Sequence, residues 1–107
     1  MQQLTAPALA AWLADPARPK PLLLDVREPW EFATCHIDGA TPIPMQTIPT
    51  RHPELDPDAP VVCICHHGAR SMQVAAFLEH QGFTQVSNLQ GGIHAWALQV
   101  DPAMPTY

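Results

Sequence analysis

Hydrophobic residues along this chain fall into short apolar runs that alternate with stretches of helical spacing. Runs at 22–26, 61–65 and 83–87 lie between proline, glycine or charged positions and predict strands. Two shorter segments, 2–4 and 41–44, predict edge or terminal strands, because proline and short length disfavour a central position.

Apolar residues spaced three and four apart predict the helices. The first is capped by Thr5 and runs to residue 14, and the second begins at Pro29 and runs to residue 34. Two more are predicted at 71–80 and 93–98, whereas 45–60 contains four prolines and predicts a surface crossover with at most a short helical turn. Repeated strand–helix alternation predicts an α/β fold with a parallel sheet covered on both faces.

Composition limits the classes of protein that fit. A chain of 107 residues with 47% hydrophobic content predicts one domain, 1–107, around one core. A net charge of −5 with five Lys and Arg argues against binding nucleic acid. No long apolar run or secretory signal is present, and three cysteines form no disulfide framework, so we expect a cytoplasmic protein that does not bind membranes.

The chemistry of the chain centres on Cys65. This residue ends a predicted buried strand, and a predicted helix begins a few residues later. Ligands bind at the carboxyl ends of parallel strands, and the N–H groups and dipole of a helix N-terminus favour an anion such as a thiolate. We therefore predict that Cys65 is a catalytic nucleophile.

The residues after Cys65 predict a cradle for an anionic sulfur donor. Backbone N–H groups of 66–71 would converge on the sulfur, Gly68 would permit the turn, and Ser71 would cap the helix. Arg70 offers a planar fork of donors for anionic oxygens, whereas His66 and His67 add partial positive charge or are merely exposed. The predicted substrate-binding residues are His66, His67, Gly68, Ala69, Arg70 and Ser71.

The remaining thiols have simpler interpretations. Cys63 lies inside the predicted strand and is interpreted as core, with a redox role disfavoured, and Cys35 is interpreted as structural. Cys63, Cys65, His66 and His67 fit no usual zinc spacing, so no metal site is predicted. Three tryptophans at helical positions are predicted to lie in or near the core: Trp12, Trp30 and Trp96.

Four motifs together resemble the single-domain rhodanese family of sulfurtransferases. They are LDVREPWEF at 24–32, HIDGA at 36–40, CHHGARS at 65–71 and QGGIHAW at 90–96. The resemblance implies a five-stranded parallel sheet flanked by helices on both faces, with Cys65 as the sulfur carrier. It also favours reading Asp25, Arg27 and Glu31 as a structural polar cluster. Cys35 stands where the family usually has glycine, which implies either a different backbone or local strain.

The resemblance implies sulfur transfer through a Cys65 persulfide. The donor would be thiosulfate or a related small anion, and the acceptor cyanide or a cellular thiol, with no cofactor. An alternative is relay of sulfur to a carrier protein in cofactor biosynthesis or tRNA thiolation, since the tail at 100–107 resembles rhodanese domains fused to adenylyltransferases. A phosphatase or arsenate reductase is less favoured, because such loops place five residues between cysteine and arginine and this chain has four. A non-catalytic rhodanese-like module would typically lack the cysteine.

Overall fold

A five-stranded parallel sheet forms the centre of the computed structural model, which describes residues 1–107. The strand order is β1–β5–β4–β2–β3, and every neighbouring pair is parallel. The strands are β1 Gln2–Leu4, β2 Leu22–Asp25, β3 Thr41–Pro42, β4 Val61–Ile64 and β5 Val86–Leu89. β4 lies in the middle of the sheet, so the residue that follows it emerges between two neighbouring strand ends.

Five α-helices connect the strands. They are α1 Ala6–Ala14, α2 Pro29–Thr34, α3 Ile48–Arg51, α4 Ala69–His80 and α5 Gly92–Gln99. None of the helices is long and apolar enough to cross a membrane.

The sheet has a hydrophobic core on each face. Val61 and Cys63 of β4 point into a cluster with residues of α3 and α4, whereas Val62 and Ile64 point into a cluster with residues of α1 and α5. Burial on both sides explains why the β4 sequence is apolar throughout rather than alternating. The predicted fold class is therefore confirmed, with helices on both faces.

Several local predictions are also confirmed. The Thr5 side chain caps α1 by accepting a hydrogen bond from the Ala8 N–H at 3.2 Å. Pro29 occupies the first turn of α2, where its missing N–H needs no partner. Gly82 follows the end of α4 with φ of +96°. These caps place the helix ends within about two residues of their predicted positions.

Two element boundaries differ from prediction near the Cys65 loop. Helix α4 begins at Ala69 rather than 71, because Gly68 adopts a left-handed conformation at the N-cap. Ser71 consequently lies inside the first turn and does not cap the helix. β5 covers Val86–Leu89 rather than 83–87, so it begins three residues and ends two residues later than predicted.

The crossover between β3 and β4 contains more helix than predicted. Turns of 3₁₀ helix at Met45–Thr47 and His52–Glu54 flank α3, which gives continuous helical structure over 45–54. Two of the four prolines, Pro49 and Pro53, lie in the first positions of α3 and of the second 3₁₀ turn, where they are compatible with helix. Ile48 is buried against the core and anchors the segment.

One prediction about a side chain is corrected, and the alternative left open at Cys35 is decided. Trp30 is 58% exposed, because it lies on the outer side of α2 and its Nε1–H donates to Glu28 Oε2 at 2.8 Å. Trp96 is buried and Trp12 half-buried, as predicted. Cys35 has φ of −164° and ψ of 148°, which is ordinary extended backbone. The backbone differs from a glycine turn there, and no strain results.

Candidate active site

Cys65 directly follows β4 and is only 1% exposed. Its Sγ accepts a hydrogen bond from the Gly68 N–H at 3.0 Å, and the Ser71 Oγ lies 3.3 Å away. Gly68 supplies this contact because its left-handed backbone turns the N–H back toward the strand end. Of the ring of N–H donors predicted over 66–71, only this one reaches the sulfur.

The hydroxyl of Ser71 can donate to only one of its neighbours. Its Oγ is 2.5 Å from Asn88 Oδ1, much closer than its 3.3 Å distances to Cys65 Sγ and Gly68 O. The shortest contact takes the proton, which leaves a Ser71 lone pair facing the thiol. If Cys65 is ionised, rotation of the same hydroxyl supplies a second donor to the thiolate. The Ser71 hydroxyl can therefore accept from the Cys65 thiol or donate to the Cys65 thiolate.

Asn88 holds this arrangement and was missed by the sequence analysis, because it lies just beyond the strand predicted over 83–87. It lies in β5 and is almost completely buried. Its Nδ2 donates to Gly68 O at 3.3 Å and to Gln3 Oε1 at 3.0 Å. Asn88 and its neighbour Ser87 are buried polar residues in a short strand, and a polar pair between Val86 and Leu89 is the signal that could have indicated a polar partner nearby.

The N-terminus of α5 docks onto the backbone of the Cys65 loop. The Ile93 N–H donates to Cys65 O at 2.8 Å, and the His94 N–H donates to His66 O at 3.0 Å. A Cβ on Gly92 would overlap both of these carbonyl oxygens. The loop carbonyls are thus occupied by α5, and the loop conformation depends on a glycine that lies 27 residues further along the chain.

Arg70 is paired with Glu31 rather than free. Its Nη1 and Nη2 donate to the two carboxylate oxygens at 2.7 and 2.8 Å, in a bidentate geometry. Glu31 also accepts from the Tyr107 hydroxyl at 2.8 Å and from the Glu28 N–H at 3.0 Å. The hydrogen bonds from Arg70 lower the pKa of Glu31 to about 2. The Arg70 side chain remains 36% exposed to solvent.

A second ion pair, fully buried, lies next to the first. Arg27 donates to both carboxylate oxygens of Asp25 at 2.9 and 2.7 Å, and its other donors reach Cys35 O, Glu31 O and the Tyr107 hydroxyl. Burial opposes the charge, but the bonds to Asp25 and Tyr107 outweigh it and raise the pKa of Arg27. The predicted structural polar cluster is confirmed, and Tyr107 joins its two halves.

The predicted rim residues occupy different positions. His66 is half-buried, with its ring centroid 4.1 Å from that of Tyr107, whereas His67 and Ala69 are exposed. Burial, together with the charge of His67, lowers the pKa of His66. The ring of His94 lies beside these two histidines, with its centroid 5.0 Å from that of His67. The sequence analysis did not associate His94 with the loop.

The other thiols are not positioned as nucleophiles. Cys63 is completely buried within β4, and burial raises its pKa to about 12, so it stays protonated at neutral pH. Cys35 is buried beside Arg27, and all three cysteines are free. The interpretation of Cys63 as a core residue is confirmed.

The fold and the site define a class of protein. A cysteine lies at the carboxyl end of the central strand of a parallel α/β sheet, and the loop after it, which leads into a helix N-terminus, donates a backbone N–H to its sulfur. The family model described as a rhodanese-like domain matches residues 7–99. The chain therefore belongs to the rhodanese-like domain family.

Individual relatives agree with this family. A sulfurtransferase of Allochromatium vinosum is 49% identical over 76 residues, which are 71% of each chain. The thiosulfate sulfurtransferase GlpE of Stutzerimonas stutzeri is 36% identical over 75 residues, 70% of this chain and 69% of that protein. The probable adenylyltransferase/sulfurtransferase MoeZ of Mycobacterium tuberculosis is 41% identical over 106 residues, 97% of this chain but 26% of that protein. Sulfur transfer is the general chemistry that these relatives support.

A solved structure supports the same fold. The rhodanese-like domain protein of Staphylococcus aureus superposes with a TM-score of 0.82 at 33% identity, and the match covers 90% of this chain and 91% of that one.

Proposed function

We propose that this chain transfers a sulfane sulfur from thiosulfate or a related donor to a thiophilic acceptor through a persulfide on Cys65. The observation that carries the proposal is the setting of Cys65 Sγ, which accepts the Gly68 N–H at 3.0 Å and lies 3.3 Å from the Ser71 hydroxyl. The Gly68 N–H stabilises a thiolate, and the Ser71 hydroxyl adds a second donor when it rotates away from Asn88. The thiolate is the form that attacks sulfur.

The reaction proceeds in two displacements. The Cys65 thiolate attacks the outer sulfur of thiosulfate, the S–S bond of the donor breaks, and its electron pair leaves with sulfite. The new S–S bond makes Cys65 a persulfide, whose outer sulfur is then attacked by cyanide or a thiolate, and the Cys65 thiolate is regenerated. Because Cys65 is almost completely buried, side chains at the rim must move before a donor reaches it.

The persulfide is directly measurable. Incubation with thiosulfate should increase the intact mass by one sulfur atom, and addition of cyanide should remove it. Cys65→Ser should show no gain, whereas Cys35→Ser should gain sulfur like the wild type, because that thiol is outside the loop. Absence of the adduct in the wild type, or an undiminished adduct in Cys65→Ser, would falsify the mechanism.

A second candidate function is relay of the persulfide sulfur to a carrier protein. The similarity to MoeZ favours it, because that match covers 97% of this chain. Trp30, 58% exposed and 5.4 Å from the Tyr107 ring, offers an apolar contact for such a partner. The acceptor in this test is a carrier protein whose C-terminal carboxyl is adenylated: the persulfide displaces AMP to form an acyl disulfide, and an added thiol cleaves its S–S bond and releases the thiocarboxylate. Transfer to this acceptor that is faster than transfer to cyanide would favour relay. Release of phosphate from an aryl phosphate at a comparable rate would instead support a phosphatase.

We also propose that this chemistry takes place in a reducing compartment, the cytoplasm. All three cysteines are free, and the mechanism requires a reduced Cys65.

A further inference from the structure

Three of the six histidines come together at one place on the surface, beside the Cys65 loop. His66 and His67 belong to the loop itself, and His94 lies in the first turn of α5. One ring nitrogen of each lies within 4.8 Å of those of the other two. His36, His52 and His80 lie outside this cluster, so the convergence is a property of the fold and not of histidine content.

The backbone fixes the spacing of these residues. The hydrogen bond from the His94 N–H to His66 O, at 3.0 Å, connects α5 to the loop directly. The neighbouring bond from the Ile93 N–H to Cys65 O, at 2.8 Å, prevents α5 from sliding along the loop. The Tyr107 ring packs against His66 from the other side, with centroids 4.1 Å apart. The backbone positions of the three residues are thus set without any ligand.

The ring nitrogens are free to bind a ligand. None of the three imidazoles makes a hydrogen bond to the chain, whereas His36 Nδ1 lies 2.8 Å from Phe32 O. The rings of His66 and His67 are stacked with centroids 4.1 Å apart, and His67 and His94 are exposed. Rotation about the side-chain torsions of these exposed residues therefore meets little resistance.

We propose that His66, His67 and His94 form a site for a divalent cation of borderline softness, of which Zn²⁺ is the redox-inert representative. Zn–N bonds of about 2.0–2.1 Å place the nitrogens of a tetrahedral site about 3.3 Å apart, so the rings must close by at most about 1.5 Å. Imidazole ligands suit Zn²⁺, Cu²⁺ and Ni²⁺ rather than Mg²⁺ or Ca²⁺. Three protein ligands leave the fourth position open to water or an exogenous anion.

Cys65 is not a ligand of this site. Its Sγ is outside the group of atoms that lie within 4.8 Å of one another, and it is buried beneath the loop backbone. The sequence argued against metal because the local cysteines and histidines fit no usual zinc spacing, and that local pattern leaves out His94, which is 27 residues beyond His67. The third ligand comes from α5, and only the tertiary structure brings it to the loop.

Titration of the metal-free, reduced chain with Zn²⁺ by calorimetry tests the site. We expect one Zn²⁺ ion per chain. The chain loaded with Co²⁺ should show the visible d–d absorption of a tetrahedral site, and Zn²⁺ should abolish that absorption by displacing Co²⁺. His94→Gln removes one ligand but keeps the backbone N–H that contacts His66, so affinity should fall at least about tenfold. His80→Gln removes an exposed histidine of α4 and should bind Zn²⁺ like the wild type.

Cys65→Ser separates an imidazole site from a thiolate site. We expect it to retain Zn²⁺ binding, since no sulfur ligand is involved. Zn²⁺ binding of wild-type affinity in His94→Gln, or loss of binding in Cys65→Ser, would overturn the proposal, as would a wild type that binds no Zn²⁺. The measurement requires no sulfur donor, so its result does not depend on the proposed sulfur transfer.

Discussion

Arg70 illustrates how a single residue differs between sequence and structure. Its position at the end of the loop predicts a free cation for an anionic donor, whereas the structure gives both of its terminal nitrogens to Glu31. The guanidinium still carries its charge, and more than a third of the side chain is exposed. It can therefore attract an anion, but its orientation is set by the carboxylate behind it.

Replacement of Arg70 by alanine should affect both binding and folding. We expect the KM for thiosulfate to rise about tenfold, because the remaining positive charge at the loop is lost. The variant should also unfold more easily, because Glu31 keeps a buried carboxylate without its cation. Initial rates and urea unfolding measure the two effects.

A double variant separates binding from stability. Arg70→Ala with Glu31→Gln removes the unpaired charge, so stability should largely recover while the KM stays high. Arg51→Ala, which removes the same charge from an exposed pair with Glu54, serves as the control and should change neither quantity much. A KM that does not respond to Arg70→Ala would show that its charge does not bind the donor.

At the scale of the elements, the loop is shaped by α5 as much as by α4. Helix α4 provides the N-terminus that faces Cys65, and its start at Gly68 sets the one N–H that reaches the sulfur. Helix α5 holds the opposite side of the loop through the carbonyl oxygens of Cys65 and His66. Gly92 makes this close approach possible.

Alanine at Gly92 should therefore destabilise the chain and disturb the loop. Gly92 has φ of +61°, and an added Cβ would overlap two backbone oxygens that cannot move aside without moving the loop. Left-handed backbone alone costs about 1 kcal/mol, and the overlap should add about 2 kcal/mol or more. The free energy of unfolding, measured with denaturant, and the rate of persulfide formation should both decrease.

Gly39 provides a matched control for this substitution. It has φ of +84°, but a Cβ there would meet nothing within 4 Å. The free energy of unfolding of Gly39→Ala should therefore fall only by the cost of the left-handed backbone, about 1 kcal/mol. The variant should form the persulfide at the wild-type rate. Equal losses in the two variants would show that Gly92 matters only for its conformation and not for the contact with the loop.

At the scale of the whole molecule, two ion pairs join β2, α2, α4 and the end of the chain. Asp25 with Arg27 and Glu31 with Arg70 sum to zero charge, and the Tyr107 hydroxyl accepts from Arg27 at 3.0 Å and donates to Glu31 at 2.8 Å. Burial raises the pKa of Tyr107 to about 12, so it stays protonated and keeps both roles at neutral pH. This network connects segments that are distant in sequence.

The Glu31 carboxylate should make the stability of the molecule depend on pH in the acid range. Its pKa is about 2 when folded, below the usual 4.5, because Arg70 stabilises the charged form. The stabilisation is complete above about pH 5 and is lost as the pH falls toward 2. Allowing for the partial exposure of Arg70, we expect Glu31→Gln to lower the free energy of unfolding by about 2 kcal/mol at neutral pH. The difference between the variant and the wild type should shrink as the pH falls.

Glu54→Gln is the control for this pH dependence. Glu54 pairs with Arg51 at 3.2 Å, but both side chains are largely exposed, so its replacement should change stability little at any pH. Denaturant unfolding of both variants and the wild type between pH 2 and 7 provides the measurement. A stability difference for Glu31→Gln that stays constant with pH would contradict the role given to its ionisation.

Local pattern was sufficient for most of the fold and for the position of Cys65. Apolar runs reveal strands because both faces of a parallel sheet are buried, and Thr5 and Pro29 mark helix starts by their own chemistry. Boundaries were less accurate where neighbours decide them, as at β5. The exposure of Trp30 could not be predicted either, because its face of α2 is not covered by another element.

The sequence by itself determined the α/β alternation, the cysteine at the end of a strand and the four-residue spacing to Arg70, because each depends on residues adjacent in the chain. Only the tertiary structure decided which groups meet there. Strand order and helix docking bring Asn88, Glu31 and His94 to the loop. Asn88 contacts Ser71 across 17 residues of sequence, and Glu31 contacts Arg70 across 39. Such contacts depend on packing between distant segments, and no local pattern encodes them.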